Sequence, residues 1–193
     1  MSALRRYALP LIVLITAAPL VKAEDVDNPY YTFWSKSKPG ATVVHKETTK
    51  LSGPAAASAP DATDVKIVTY KLLELNDKEA VVEARVKQEE NFGFVEAAPT
   101  KHIYPAKMSK AVLADLIAET GAKSEPGTLK VGDKEMKVKV ISGTMKKGDE
   151  EAAFKLWLSD DVPGAIVKRQ RTTKVKGETV AETTVELVSF KKE

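Results

Sequence analysis

Apolar and polar residues alternate along most of this chain, a pattern typical of strands with one buried face. Val43, His45 and Glu47 fall on one side of the first such run. The runs at 63–75 and 80–88 flank Asn76-Asp77-Lys78-Glu79 and predict a hairpin. Weaker or shorter runs follow, separated by turns, at 92–103, 129–131, 134–141, 153–159, 165–175 and 179–190. Together they predict a mainly β (α+β) fold built on a long antiparallel meander sheet.

Two stretches depart from this period. Asn28 can cap a helix, Pro29 suits its first position, and the segment through Trp34 is then a short N-terminal helix. Between a Ser109 cap and a Gly121 stop, apolar residues recur at helical spacing at Val112, Leu113, Leu116 and Ile117. We therefore expect one amphipathic helix over 109–120, covering the concave side of a sheet curved into an open half-barrel.

The N-terminus has the layout of a secretory signal peptide. Arg5 and Arg6 precede an apolar run that ends near Val21, and Ala23 stands at a suitable cleavage point. This run is shorter than the roughly 20 residues of a membrane span, so we predict cleavage and a chain that does not span a membrane. The expected organisation is a signal peptide at 1–23 and one β-rich domain at 24–193, with a flexible Pro/Ala-rich loop at 52–62.

Removal of the signal peptide changes the charge balance. The full chain has 30 Lys and Arg against 27 Asp and Glu, and three of the basic residues lie in residues 1–23. The remaining domain is neutral, which argues against nucleic acid as a partner. The chain has no cysteine, so the fold depends on its apolar core and not on disulfides.

No motif in the sequence predicts catalysis or a cofactor. The two histidines, His45 and His102, lie far apart and outside any spacing typical of metal ligands. No G-x-S-x-G or glycine-rich phosphate loop is present, and the Asp160-Asp161 pair lies at a turn, where acids are common. We predict a protein that is not an enzyme and has neither a metal site nor a cofactor.

Basic residues are concentrated at 168–176, opposite a strand with several glutamates. A turn at Lys176-Gly177 would set Arg171 opposite Glu182, so the charges would neutralise one another across the strands. We interpret this run as a solvated sheet face.

The segment LWLSDDVPGAIVK, at 156–168, combines a tryptophan with a sharp corner. Pro163 and Gly164 suit the central positions of a type II turn and are expected to be structural. Trp157 points away from the face used by Leu156 and Leu158. It either packs beneath a helix or loop or lines a groove open to an apolar ligand.

The W-x-S-x-x-V-P-G-x-x-x-K element begins at Trp157 and ends at Lys168. It resembles that of uncharacterised secreted bacterial proteins of planctomycete type, and the opening Trp34 with Lys38-Pro39-Gly40 is similar to their start. A curved antiparallel sheet covered by a helix also resembles, more distantly, the periplasmic lipoprotein-carrier (LolA/LolB-like) fold, which implies a half-barrel that holds acyl chains. This chain lacks the N-terminal lipidated cysteine of the outer-membrane acceptor branch.

The leading hypothesis is therefore a periplasmic or secreted, non-catalytic binding protein that holds a lipid or a lipidated protein in the groove of the curved sheet. The expected ligand-binding residues are Trp157, Trp34, Leu113 and Leu116. The alternative is a structural or protein-interaction module with a cell-envelope protein as its partner and no small ligand.

Overall fold

The computed structural model describes residues 24–53, 63–90, 93–113 and 121–193. It is mainly β, as predicted, with twelve strands and a short N-terminal helix in these ranges. In chain order, the elements are β1 (Asp25–Asp27), α1 (Pro29–Trp34), β2 (Thr42–Leu51), β3 (Thr63–Leu75), β4 (Glu79–Glu90), β5 (Gly93–Glu96), β6 (Thr100–Pro105), β7 (Lys107–Ser109), β8 (Lys123–Val131), β9 (Lys134–Lys147), β10 (Glu150–Leu158), β11 (Ile166–Val175) and β12 (Glu178–Lys191).

Ten strands form one antiparallel sheet, in the order β5-β4-β3-β2-β12-β11-β10-β9-β8, with β6 also paired to β4. Each half of the sheet is a meander of sequential neighbours, which confirms the predicted antiparallel meander. The halves are joined where β2 pairs with β12, the last strand of the chain. Within the described residues, β5 and β8 lie at opposite edges and do not pair with each other, so the sheet is open. The second sheet is small and contains only β1 and β7.

Local turn chemistry explains the hairpins. The Asn76 side chain accepts hydrogen bonds from the backbone amides of Lys78 and Glu79 and so closes the β3–β4 turn. Gly132 has a φ of 59°, a conformation that glycine adopts easily, and the β8–β9 turn around it pairs Leu129 with Met136. Pro126 is tolerated in β8 because this is an edge strand.

Bulges shift the register in four strand pairs, and one of them overturns a predicted pairing. A bulge at Thr173/Lys174 moves the pairing by one residue, so Arg171 lies opposite Thr183 and not opposite Glu182. The extra residue on the partner strand is Val180, whose carbonyl accepts from the amide of Ser52. The pair of Arg171 is instead Glu150 of β10, at 3.3 Å.

The core is built mainly from valines and leucines of the central strands. Leu72 and Val82 lie opposite each other and are fully buried. Trp34 of α1 joins the same cluster, which also contains Val43, Leu187 and Val162. Burial of these side chains on one sheet face fixes the position of α1 against β4 and β6.

The second predicted helix begins as expected. Residues 110–113 are helical, and the Ser109 hydroxyl accepts from the amide of Ala111 at 3.3 Å. Residues 114–120 lie outside the described ranges, so the predicted cover of the sheet by this helix stays a prediction. The same holds for the signal peptide at 1–23 and for most of the loop at 52–62, of which only Ser52 and Gly53 are described.

Candidate functional site: an aromatic pocket beneath the N-terminal helix

The capped start of α1 fixes this helix above the sheet. The Asn28 side chain, which is buried, accepts from the amide of Tyr30 at 3.0 Å. The backbone amide of Asn28 donates to the carbonyl of Ala106, next to β6. The Tyr31 hydroxyl donates to the carbonyl of Asn76 at 2.8 Å. The first contact caps the helix, and the other two attach its first turn to neighbouring loops, so its aromatic side chains project over one face of the sheet.

A pocket of about 190 Å³ lies between α1 and this face, and we refer to it as the aromatic pocket. Aromatic rings and branched aliphatic side chains form most of its wall, with a histidine and one ion pair among them. The lining residues are Tyr30, Phe33, Trp34, Val43, His45, Glu47, Val68, Tyr70, Tyr104, Gly164, Ile166, Arg169 and Val185. Rings from α1, β2, β3 and β6 meet here because the strand register places these side chains on one face.

His45 is the buried polar group of the pocket. Its Nε2 lies 2.9 Å from the carbonyl oxygen of Ile166. A carbonyl only accepts, so Nε2 carries the hydrogen in this contact and Nδ1 is left as an acceptor in the neutral ring. Burial lowers the pKa of His45 below its ordinary value, against the opposing effect of the Ile166 hydrogen bond. The positive charge of Arg169 lowers this pKa further, so the imidazole is neutral at pH 7.

Two tyrosines of the pocket, Tyr70 and Tyr104, are also neutral. Burial raises the pKa of Tyr70 above its ordinary value, and the same cause raises the pKa of Tyr104. Tyr104 stacks on Tyr30 with ring centroids 5.6 Å apart. Tyr70 meets His45 edge to face at 6.0 Å. The interior therefore presents uncharged rings, a surface suited to apolar groups.

Charge is confined to the rim. Arg169 and Glu47 form an ion pair at 3.2 Å, with about half of the arginine side chain exposed. Val185 lies between them on β12, so the pair spans two strand spacings across the face. The pair provides a polar edge to an otherwise apolar cavity.

The loop at 159–165 forms one wall of the pocket. Its Val162–Ala165 corner closes with a 2.8 Å backbone hydrogen bond, and Gly164 between them has a φ of 73°. A Cβ atom at Gly164 would lie only 2.9 Å from Cζ2 of Trp34. The absence of a side chain at this position therefore lets the loop contact the indole ring of Trp34.

A second depression lies on the other face of the sheet, over β8 to β11. It has a volume of about 900 Å³ and is much more open, and we refer to it as the open groove. Its lining is rich in lysines, hydroxyls and amides: Gly121, Lys123, Ser142, Gly143, Thr144, Lys146, Ala153, Phe154, Lys155, Gln170 and Thr172.

Trp157 belongs to the face of the open groove. It lies opposite Val140 on one side and Lys168 on the other, and it is partly buried. The ammonium groups of Lys155 and Lys168 lie 5.1 Å and 5.9 Å from the centroid of its rings. The strand register continues this row through Glu186 to Lys46, the neighbour of His45, so Trp157 and His45 are on opposite faces.

The residues expected to bind ligand are thus separated. Trp34 lines the aromatic pocket and is almost fully buried, whereas Trp157 does not line it, points to the opposite face of its strand and packs against the core cluster that contains Trp34. Leu113 is partly buried at the start of the second helix and does not line the pocket, and Leu116 lies outside the described residues. Sequence reasoning missed Tyr70, Tyr104 and the Glu47–Arg169 pair. The alternation at Val43, His45 and Glu47 was the available signal, because it placed a histidine and an acid on an apolar face.

Within the ranges that the structure describes, no group of three or more His, Asp or Glu side chains is close enough to hold a metal ion. No helix in the same ranges is long and apolar enough to cross a membrane.

Comparison with known proteins gives no family for this chain. No family model matches it, and no curated protein matches it. Among solved structures, it is similar to a Bacteroides fragilis protein assigned as exported and as having a YmcC-like fold. The TM-score is 0.45 with 9% identity, over 81% of this chain and 97% of that chain. A similarity this distant carries no argument about function.

Proposed function

We propose that this protein is an exported, non-catalytic binding protein that holds an apolar group in the aromatic pocket. The acyl chain of a lipid or of a lipidated protein is the ligand class that suits it. The observation that carries this proposal is the pocket itself, in which uncharged rings and branched aliphatic side chains enclose about 190 Å³. Export rests on the signal-peptide pattern of residues 1–23, and the site of action is then the periplasm or the exterior.

The size of the pocket defines how a ligand would bind. Sites that enclose a whole drug-sized ligand have volumes of roughly 300–1,000 Å³, so this pocket takes only part of a longer molecule. The end of an acyl chain would pack against Trp34 and Tyr70, and its remainder would leave past the Glu47–Arg169 rim. This proposal also draws on the resemblance of the sequence to half-barrel lipoprotein carriers and to secreted planctomycete-type proteins.

The test is displacement of a fluorescent acyl probe from the mature protein by unlabelled fatty acid. We expect Val68→Phe, which fills the pocket, to weaken probe binding about tenfold or more. Ile67→Phe is the matched control, because Ile67 is the preceding residue on β3 and points to the other face. Equal affinity of both variants and the unsubstituted protein would reject the proposal, provided that circular dichroism shows all three folded. Mass spectrometry of an organic extract of the purified protein should also reveal acyl cargo.

A second candidate function is supported by a different observation. At one edge of the sheet, Phe94 and Val95 of β5 are each 52% exposed, and Ile103 of β6 is 61% exposed. Exposed apolar residues on edge strands suit strand addition or docking by another protein. A protein-interaction module of the cell envelope would use this edge. Cross-linking in envelope fractions that yields one stoichiometric partner, and loses it in Phe94→Ser/Ile103→Ser, would favour this function if no acyl cargo is found.

A further inference from the structure

The open groove on the face opposite the aromatic pocket has a regular arrangement of cationic and hydrogen-bonding side chains. Lys123, Ser142 and Lys155 lie directly opposite one another on β8, β9 and β10. The same row continues on β11 with Gln170. In the next row, Thr144 of β9 and Thr172 of β11 flank the small Ala153 of β10. Directly opposite residues share a face, so these side chains form one continuous floor.

The charge of this floor has one sign. Its lining contains lysines at 123, 146 and 155 and no acidic residue. Lys146 has a carboxylate partner, Glu151, at 3.0 Å. Among the residues that the structure describes, neither Lys123 nor Lys155 has a carboxylate within ion-pair distance. Their backbones are about 10 Å apart, since they lie two strands apart and neighbouring strands are separated by about 4.8 Å.

We propose that the open groove binds a segment of an acidic polysaccharide. Its carboxylates would pair with Lys123 and Lys155, and its hydroxyl groups would exchange hydrogen bonds with Ser142, Gln170 and Thr172. Charge complementarity selects an anionic ligand, and a floor of hydroxyl and amide groups matches a polyhydroxylated chain. The open shape allows a polymer to pass through, whereas the aromatic pocket on the other face encloses only the end of a ligand. This function is separate from acyl binding and does not depend on it.

Trp157 provides an internal reporter at the edge of this site. The ammonium of Lys155 lies over its rings at 5.1 Å. An anion that draws Lys155 away from the indole changes the environment of the indole and therefore its fluorescence. The chain has two tryptophans, so Trp34→Phe leaves Trp157 as the single emitter.

The experiment titrates the mature Trp34→Phe protein with a polyuronate oligosaccharide, with neutral dextran oligosaccharide as the uncharged comparison. We expect the polyuronate to bind and to change Trp157 emission, binding to weaken as salt is raised, and dextran to have no effect. Lys123→Gln/Lys155→Gln should weaken polyuronate binding about tenfold or more. The matched control is Lys137→Gln/Lys139→Gln, which removes the same charge from exposed positions on the opposite face of β9 and should leave binding unchanged.

Three results would overturn this proposal: no polyuronate binding, equal loss in both double variants, or binding to vesicles with anionic phospholipid in place of the polyuronate. Displacement of the acyl probe from the aromatic pocket should be the same in both lysine variants. A failure of the polysaccharide site is therefore distinguishable from a failure of acyl binding.

Discussion

Gly164 couples the 159–165 loop to α1, and its replacement by alanine perturbs one contact of known geometry. The added Cβ would lie 2.9 Å from Cζ2, 3.2 Å from Cε2 and 3.5 Å from Cη2 of Trp34. Attractive carbon contacts lie at about 3.5–4.0 Å, so two of these are repulsive. Trp34 is 6% exposed and packed in the core, which leaves its ring little freedom to move away.

The loss of stability expected for Gly164→Ala has two parts. Alanine at a φ of 73° costs about 1–2 kcal/mol, because the left-handed region crowds Cβ against the backbone. Overpacking against a buried ring adds about 1–3 kcal/mol. We expect Gly164→Ala to lower the free energy of unfolding by about 2–5 kcal/mol, a large part of the usual 5–15 kcal/mol.

Urea unfolding followed by far-ultraviolet circular dichroism measures this loss. Gly132→Ala separates the two parts, because Gly132 has a φ of 59° and a Cβ there would meet nothing within 4 Å. It should cost only the backbone part, about 1–2 kcal/mol. In a Trp34→Leu background the difference between the two glycine variants should shrink towards zero. Equal losses for Gly164→Ala and Gly132→Ala in the native background would refute the reasoning.

Three further substitutions test the core, the histidine and the helix cap. Leu72→Ala should lower the free energy of unfolding by about 2–5 kcal/mol, because Leu72 is fully buried. Leu73→Ala, at the adjacent bulge, should cost clearly less. Similar losses for the two variants would contradict the β3–β4 register. The folded-state pKa of His45 lies below the unfolded value of 6.5. The contribution of His45 to the free energy of unfolding should therefore be constant above about pH 6.5. Below that pH it should fall by at most about 1.4 kcal/mol per pH unit, because the unfolded chain takes up the proton first. His45→Gln should remove this pH dependence and the exposed His102→Gln should keep it, as measured by urea unfolding at several pH values. Asn28→Ala should cost about 1 kcal/mol through loss of the α1 cap, and no change in the urea midpoint would show that the cap is dispensable.

Periodicity predicted the long strands and most of their turns, but it did not predict β1, β7 or residues 123–128 of β8, and it gave β5 and β6 as one run. The alternation at Val43, His45 and Glu47 corresponds to one face of β2, and Gly132 lies in the turn predicted between the runs at 129–131 and 134–141. Asn28 and Pro29 predicted α1 because capping is a local interaction. These features depend on neighbours in sequence, which a single chain displays directly.

The positions of bulges were not predictable from the sequence. A bulge depends on tertiary pairing, and one extra residue reverses the face of every residue beyond it. For this reason the predicted pair Arg171–Glu182 was wrong by one position. The pairing of β2 with β12 joins residues more than a hundred positions apart, and no local signal encodes it.

In the candidate site, too, local features were predictable from sequence and features that depend on strand pairing were not. Trp34 could be selected from sequence because it is a large apolar residue on a capped helix. Tyr70, Tyr104 and Arg169 could not, because they come together only through the pairing of β2, β3, β4, β6, β11 and β12. The two tryptophans were predicted to share one groove, but the strand register turns Trp157 away from the pocket that Trp34 lines.

The most direct test of the central claim uses this separation of the two tryptophans. Trp157→Phe leaves Trp34 as the single emitter, and Trp34→Phe leaves Trp157. Each variant is titrated with a fatty acid brominated near the end of its chain, because bromine quenches an indole that it contacts. The aromatic pocket predicts quenching of Trp34 and little quenching of Trp157. Quenching of Trp157 alone, or of neither tryptophan, would contradict acyl binding beneath α1.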